Sequence, residues 1–330
     1  MTYHPKFPYT LQYNLNLERE VAPGTTLSAG YFGARGNHLP REIEANPFEP
    51  ALGHRYNPNL QSPLLEDLTD AQSFYNSFQL SVSQQHAHNL SWQAFYTFSH
   101  SIDDASSNIS IEAVNEPPTT QDPFNRKGDR GRSGFDIRHN LVANAVYDIP
   151  LGDKSEFGGW QISAIANVHS NVPFTPVLGF DNADVQSLLT AERPNLAGNP
   201  YEGVCPNGFR VGTPSCWFNP SAFALPPPGQ FGTAGRNILR GPGFAQFDLA
   251  LQKGFQLSEG TKITFGAEAY NLLNRPNFAV PSNTQSPLTL GGNGDAVFKD
   301  IAGDLASNVG RISTTVGAGR QIQLDARFTF

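Results

Sequence analysis

The chain has 330 residues, of which 15% are charged, well below the roughly 25% of soluble domains. Its net charge of −7 and the lack of a basic stripe argue against nucleic acid as a partner. Gly, Pro and Phe are abundant, at 31, 26 and 24 residues, which favours strands and irregular loops over helices. No segment approaches the roughly 18 apolar residues of a membrane helix, so any membrane crossing must use strands.

Nine segments show alternating apolar and polar residues. A period of two places alternate side chains on opposite faces of an extended strand. The pattern predicts strands, in chain order, around residues 9–17, 27–31, 78–82, 90–98, 141–149, 160–168, 247–251, 263–269 and 322–330.

The connections between these segments are alternately short and long. Turns at about 21–24, 86–89, 151–159 and 257–260 alternate with stretches at about 34–73, 101–138, 171–243 and 274–319. Outer-membrane barrels have short periplasmic turns and long extracellular loops, whereas compact soluble domains rarely contain such long structureless loops. We therefore expect an all-β, antiparallel transmembrane barrel in the cell outer membrane. The alternative is a soluble or surface-tethered all-β binding module, for example for carbohydrate.

The last segment is the clearest strand. One face carries only apolar residues, namely Ile322, Leu324, Ala326, Phe328 and Phe330. Polar residues occupy the other face, and the segment has the roughly 9–11 residues of a transmembrane β-strand. We expect the apolar face to contact outer-membrane lipid. We also predict that this C-terminal strand is used by the barrel-assembly machinery.

Several segments carry a family resemblance. The stretch Asn-Ile-Leu-Arg-Gly-Pro-Gly-Phe at 237–244 runs into Phe-Asp-Leu-Ala-Leu-Gln-Lys at 247–253. Further matching segments lie at 135–140, 216–220, 267–278, 310–312 and 320–323. Together they resemble the C-terminal barrel of Oar-like TonB-dependent outer-membrane receptors.

This resemblance implies a receptor or transporter barrel for uptake of a bulky, unidentified solute. Such receptors have 22 strands and an N-terminal plug, and they take energy from TonB. Nine strands are fewer than such a barrel has, and residues 1–9 show no apolar signal segment. We therefore expect residues 1–330 to be the C-terminal part of a longer receptor, with the plug domain and signal peptide absent. The missing plug and barrel part, and TonB, would then be partners.

Two cysteines, Cys205 and Cys216, lie in the longest loop with ten residues between them. A periplasmic or surface location permits disulfides. A disulfide is the favoured interpretation, and two free thiols or a metal site remain as alternatives.

For the other candidate histidine, acidic and cationic residues, the sequence gives no specific binding motif. The pair His86 and His88 lacks the further ligands of a zinc site, which favours a solvated turn. Acidic residues in the second and fourth long loops lack the spacing of an EF-hand, so solvated loop positions are favoured over Ca²⁺ binding. These residues are Asp103, Asp104, Glu112, Glu116, Asp295, Asp300 and Asp304. A further group of cationic residues could line the upper lumen, contact lipid phosphates or be ordinary loop charges, and these three interpretations stay open. The group consists of Arg130, Arg132, Arg138 and His139. No nucleophile, phosphate-loop, dinucleotide or zinc-protease motif occurs, so we expect no enzyme activity and no cofactor.

Overall fold

The computed structural model describes residues 5–87, 89–106, 120–151, 158–187, 192–258, 260–281 and 295–330. An antiparallel sheet of nine long strands dominates this part of the chain, which confirms the predicted all-β fold. The strands are β1 (Tyr9–Ala22), β2 (Thr25–Glu44), β3 (Leu65–Ala87), β4 (Leu90–Asp103), β5 (His139–Asp148), β6 (Trp160–His169), β7 (Phe244–Ser258), β8 (Thr261–Tyr270) and β9 (Gln321–Thr329).

Each long strand pairs with its neighbour in the chain, so the sheet is an antiparallel meander. This topology places all short turns at one end of the sheet and all four long loops at the other, as predicted. In the described part of the chain, β1 pairs only with β2, and β9 pairs only with β8. The sheet is therefore open, with one free edge on each of these two strands.

The strand register produces one continuous apolar face. Residues directly opposite each other in antiparallel strands lie on the same face of the sheet. One such row crosses six strands and contains Trp92, Ala145, Ala164, Leu249, Ala269 and Ile322. Ile322 and Leu324 on β9 are 71% and 77% exposed, so this face is not packed into a core. We call it the outer face.

The opposite face, which we call the inner face, is mainly polar but carries several apolar residues. Phe95 on β4 lies opposite Val142 on β5, and Ile165 on β6 lies one row away, opposite Asn144. Phe95 and Ile165 are 45% and 52% exposed. Phe32 on β2 and Val146 on β5 also lie on this face, so the alternation predicts a polar inner face with several apolar exceptions.

The first long loop is shorter than predicted. The sequence predicts a connection over 34–73, but β2 continues to Glu44 and β3 already begins at Leu65. These strands have 20 and 23 residues, about twice the roughly 9–11 residues of a membrane crossing. Beyond the bilayer both faces of a strand meet polar surroundings, so the apolar alternation that marks a strand disappears there.

The loops contain short elements of their own. Single-turn 3₁₀ helices lie at Arg126–Asp129 and Pro220–Ala222. Gly131–Arg132 extends the main sheet beside β4. The other two-residue strands pair within and between loops, namely Phe48–Glu49 with His54–Arg55, Pro173–Phe174 with Leu239–Arg240, Pro176–Val177 with Asp295–Ala296, and Asn195–Leu196 with Phe223–Ala224. Over the described residues, no helix has the length and apolar character needed to cross a membrane.

Candidate functional site

The hydrophobic core of the protein lies in its loops. Phe174, Phe218 and Phe223 from the third long loop pack with Phe298 from the fourth, and Phe218 and Leu239 have no exposed surface. The ring centroids of Phe218 and Phe223 are 5.8 Å apart in an edge-to-face arrangement, which is favourable for aromatic pairs. The third and fourth long loops therefore form one packed body, which we call the loop assembly.

Buried ion pairs connect the loop assembly to the sheet. Arg236 in the third loop pairs with the Asp103 carboxylate at the end of β4, and both side chains are at most 5% exposed. The Arg236 guanidinium also donates to the backbone oxygens of Asp103 and Asp129. Arg193 pairs with Asp129 at 2.7 Å, again with both side chains buried. These contacts join the second and third loops at a fixed position above β4.

A second ionic cluster lies at the loop-side ends of β2 and β3. The Arg41 guanidinium donates twice to the Asp70 carboxylate, at 2.6 and 2.9 Å. Burial raises the pKa of Asp70, but the hydrogen bonds and charge of Arg41 outweigh it, so the pKa lies below its usual value. Arg126 approaches Asp70 at 4.0 Å and Asp104 at 3.6 Å, which ties the second loop to the strand extensions.

Asn237, in the first segment of the family resemblance, has a structural role. Its backbone has a φ of 55°, a left-handed conformation that Asn tolerates better than most residues, and its side chain is fully buried. Its amide nitrogen donates to the Arg132 backbone oxygen at 2.7 Å, and Thr175 donates to its side-chain oxygen at 3.0 Å. The motif thus fixes the end of the third loop against the second.

Cys205 and Cys216 are joined as a disulfide, with their Cα atoms 6.5 Å apart. Beside it lies a cavity of about 420 Å³, within the roughly 300–1,000 Å³ typical of ligand pockets. Backbone hydrogen bonds from Trp217 to Gly310 and from Ile312 to Pro214 hold the two loops together here. The cavity wall combines apolar and polar side chains, including Phe209, Leu305, Val309, Asn207, Asn308 and Arg311.

Glu192 is an ionisable group buried inside the third loop, with 1% of its surface exposed. Its Oε2 accepts hydrogen bonds from the backbone amides of Asn182 and Ala183 at 2.9 and 3.0 Å. Burial, together with the hydrogen bond and negative charge of Asp181, raises the pKa of Glu192 to about 9. The neutral acid is therefore its stable form in the folded loop at neutral pH.

The predicted solvated position is wrong for three acidic loop residues, Asp103, Asp104 and Asp295. Asp103 and Asp104 are buried, at 2% and 4% exposure, and contact arginines instead of solvent. Asp295 is also buried and accepts a hydrogen bond from the Gly310 amide. Asp300 and Asp304 do lie near the surface, where Lys299 contacts both. Glu112, Glu116 and His88 lie outside the described residues, as does the side chain of His86.

The predicted cationic group divides into two sets. Arg132 faces the loops, where it donates to the backbone oxygens of Asn237 and Leu239. Arg130 and Arg138 stack on aromatic rings of the outer face, and His139 contacts the Tyr96 hydroxyl at 2.8 Å. Sequence analysis missed Arg193 and Arg236, and it found Asn237 only as part of a family motif, because nothing local marks a residue whose partner lies more than 60 positions away.

The fold of the chain is similar to parts of solved outer-membrane proteins. The outer membrane transporter YddB from Escherichia coli superposes with a TM-score of 0.50 and 12% identity over 99% of this chain and 33% of that one. BauA, the ferric preacinetobactin receptor from Acinetobacter baumannii, superposes with a TM-score of 0.46 and 12% identity, over 97% of this chain and 29% of that one. The ferripyoverdine receptor from Pseudomonas aeruginosa superposes with a TM-score of 0.47 and 11% identity, over 98% of this chain and 27% of that one. The chain thus spans 27–33% of the length of these proteins.

Comparison with curated proteins gives no match. The model of the outer membrane beta barrel domain, however, matches residues 1–323, nearly the whole chain. The strand pattern, the apolar outer face and the single-ended loops are the features that such a domain requires. The chain belongs to the outer membrane beta barrel domain family, and its location is the outer membrane.

Proposed function

We propose that the chain forms the C-terminal barrel portion of a TonB-dependent receptor that takes up a bulky solute. The observation that carries this proposal is the position of the loop assembly, which stands at one end of a lipid-facing sheet and contains its own core and cavity. A receptor needs a preformed binding surface on the outside and a barrel below it. The sequence segments that resemble Oar-like receptors support the same assignment.

The cavity beside Cys205 and Cys216 is the proposed first contact for the solute. Arg311 and the amides of Asn207 and Asn308 offer hydrogen-bond donors, while Phe209, Leu305 and Val309 offer apolar surface. Such a wall suits a polar, anionic group attached to an apolar body. The chain's role would be capture and passage, with no catalytic step.

The free edges of the sheet indicate further partners. Unpaired backbone groups in hydrocarbon cost several kcal/mol each, so β1 and β9 need strands to pair with. We propose that a further part of the barrel, together with a plug domain, completes the structure and couples it to TonB. The apolar residues of β9 and the 95% exposed Phe330 are the proposed signal to the barrel-assembly machinery.

Depletion of solutes from the growth medium tests this function. Mass spectrometry compares media from cells that carry the gene, cells that lack it, and cells that carry it but lack TonB. We expect at least one bulky solute to disappear only when both the gene and TonB are present. Depletion of such a solute without TonB, or the absence of any gene-dependent solute, would contradict the proposal.

A pair of variants then tests the cavity. Arg311→Ala should slow depletion of that solute at least tenfold, because it removes the charged donor from the cavity wall. Arg240→Ala, an exposed loop arginine outside the cavity, should leave depletion unchanged. The alternative soluble binding module, which family membership does not favour, would appear in the supernatant after membrane sedimentation without detergent.

A further inference from the structure

The outer face carries a cationic cluster just beyond its apolar rows. Arg35 lies opposite Phe74 in the pairing of β2 with β3, and it has the same parity as Tyr31 and Leu27 on the apolar face. Its guanidinium carbon lies 4.9 Å from the centroid of the Phe74 ring, and that of Arg130 lies 4.8 Å from it. The two guanidinium groups are therefore at most about 10 Å apart.

Arg138 extends the cluster along the sheet. Its guanidinium carbon lies 5.8 Å from the centroid of Phe98, and its Nη2 lies 3.1 Å from Nδ1 of His100. Phe98 has the parity of Tyr96 and Trp92, so its ring belongs to the outer face. We call Arg35, Arg130 and Arg138 the outer-face arginine cluster.

The positive charge of the cluster is only partly balanced, by the electrostatic interaction of Arg130 with Asp104. In the part of the chain that the structure describes, none of its three guanidinium groups forms an ion pair with a carboxylate. Two nearby carboxylates have closer cationic partners, since Asp70 binds Arg41 and Asp104 contacts Arg126. Stacking on an aromatic ring orients a guanidinium group and leaves its edge donors available for an anion.

The position of the cluster identifies the environment of that anion. On the loop side of the apolar rows, Tyr13 and Tyr31 stack with their ring centroids 6.3 Å apart, and both hydroxyls donate to Oδ1 of Asn76. Amphipathic aromatic residues mark the level of lipid headgroups on membrane proteins. Because the long loops are extracellular, this level belongs to the outer leaflet.

We propose that the outer-face arginine cluster binds the phosphate groups of an outer-leaflet lipid, with lipid A of lipopolysaccharide as the occupant. The acyl chains would lie along the apolar rows below the cluster, where Leu80 and Leu141 share a row with Tyr96 and are 38% and 40% exposed. Arginine suits this role because its planar guanidinium binds phosphate oxygens in pairs. The arginines would donate hydrogen bonds to the lipid phosphates, and the apolar rows would contact the acyl chains.

The test measures lipid that remains bound to the detergent-solubilised protein after it is purified from outer membranes. Native mass spectrometry compares the wild type with Arg35→Gln, with the triple variant Arg35→Gln/Arg130→Gln/Arg138→Gln, and with Arg210→Gln, an exposed loop arginine, as the control. We expect bisphosphorylated lipid A on the wild type and on Arg210→Gln, and at least tenfold lower occupancy on the triple variant. Circular dichroism checks that each variant keeps its β-sheet content, and Arg35→Gln gives an intermediate loss if the triple variant fails to fold.

A second measurement distinguishes the lipid from free phosphate. Delipidated protein is titrated with bisphosphorylated lipid A, with dephosphorylated lipid A, and with inorganic phosphate. We expect tight binding only of the phosphorylated lipid, because the site needs both the charge and the chains. Equal binding of dephosphorylated lipid A, equal binding of inorganic phosphate alone, or undiminished occupancy on the folded variants would each overturn the proposal.

Discussion

Arg236 and Asp103 form a buried ion pair although 133 positions separate them in the sequence. The pair joins the third long loop to the last residue of β4, and its side chains are 5% and 2% exposed. The loop assembly is thus attached to the sheet through a polar contact that solvent does not reach.

We predict that Arg236→Ala releases the second and third loops from the sheet. Removing one partner of a buried ion pair leaves an uncompensated charge and costs roughly 3–5 kcal/mol. Hydrogen exchange should show the free energy of opening falling by about that amount around 103–106 and 129–133, while exchange in β7 and β8 stays the same. Lys299→Ala, which removes an exposed ion pair with Asp304, serves as the control and should change little.

Unchanged exchange in Arg236→Ala would show that the hydrophobic core alone holds the loops. A loss that extends through the whole sheet would show instead that sheet and loop assembly unfold together. Either outcome would contradict the description of two bodies joined by buried ion pairs.

The disulfide between Cys205 and Cys216 should stabilise the wall of the cavity. In the chain-entropy model a cross-link over a loop of this size contributes roughly 3 kcal/mol. The variant Cys205→Ser/Cys216→Ser should therefore open around 205–216 far more often, as measured by hydrogen exchange, with membrane insertion unaffected. Alkylation of both cysteines in the folded protein without reductant would contradict the assignment.

The stability of the third loop should depend on pH through Glu192. Burial and Asp181 raise its pKa from 4.5 to about 9 in the folded loop. The folded state thus holds a proton that the unfolded state has released above pH 4.5, so the stabilisation falls as pH rises toward 9. Protection factors around 178–183, corrected for intrinsic exchange, should fall by roughly tenfold or more between pH 5 and pH 8.

The variant Glu192→Gln should abolish this pH dependence, because glutamine has no proton to lose. Glu202→Gln, at an exposed loop position, should keep it. A pH profile that survives in Glu192→Gln would place the titrating group elsewhere.

The sheet could be predicted from the sequence, and the loop assembly could not. Within the bilayer one face of each strand meets lipid and the other does not, so Phe247, Leu249 and Leu251 reveal their strand through parity alone. The extensions over 34–44 and 65–73 lie beyond that boundary and lose the signal, although they continue the same strands. Alternation also restricts the register, because a shift of one residue would move the apolar residues to the other face, but it does not distinguish pairings that differ by two residues.

The contacts of the loop assembly depend on packing between distant segments. Asp103 and Asp104 look like solvated acids in the sequence, yet Arg236 and Arg126 bury them. Phe174 and Phe218 have no periodic neighbours that would mark them as core residues. Such positions follow from the folded arrangement of four loops, which local patterns do not encode.

Accessibility along β7 tests most directly whether the outer face meets lipid. Spin labels at successive positions from 246 to 251, in protein reconstituted into bilayers, are exposed to oxygen, which concentrates in lipid, and to a water-soluble nickel complex. We predict high oxygen accessibility at Phe247, Leu249 and Leu251, and lower oxygen accessibility at Gln246, Asp248 and Ala250. The lipid-facing assignment would be contradicted if the nickel complex reached the odd and even positions equally. It would also be contradicted if oxygen accessibility were higher at the even positions.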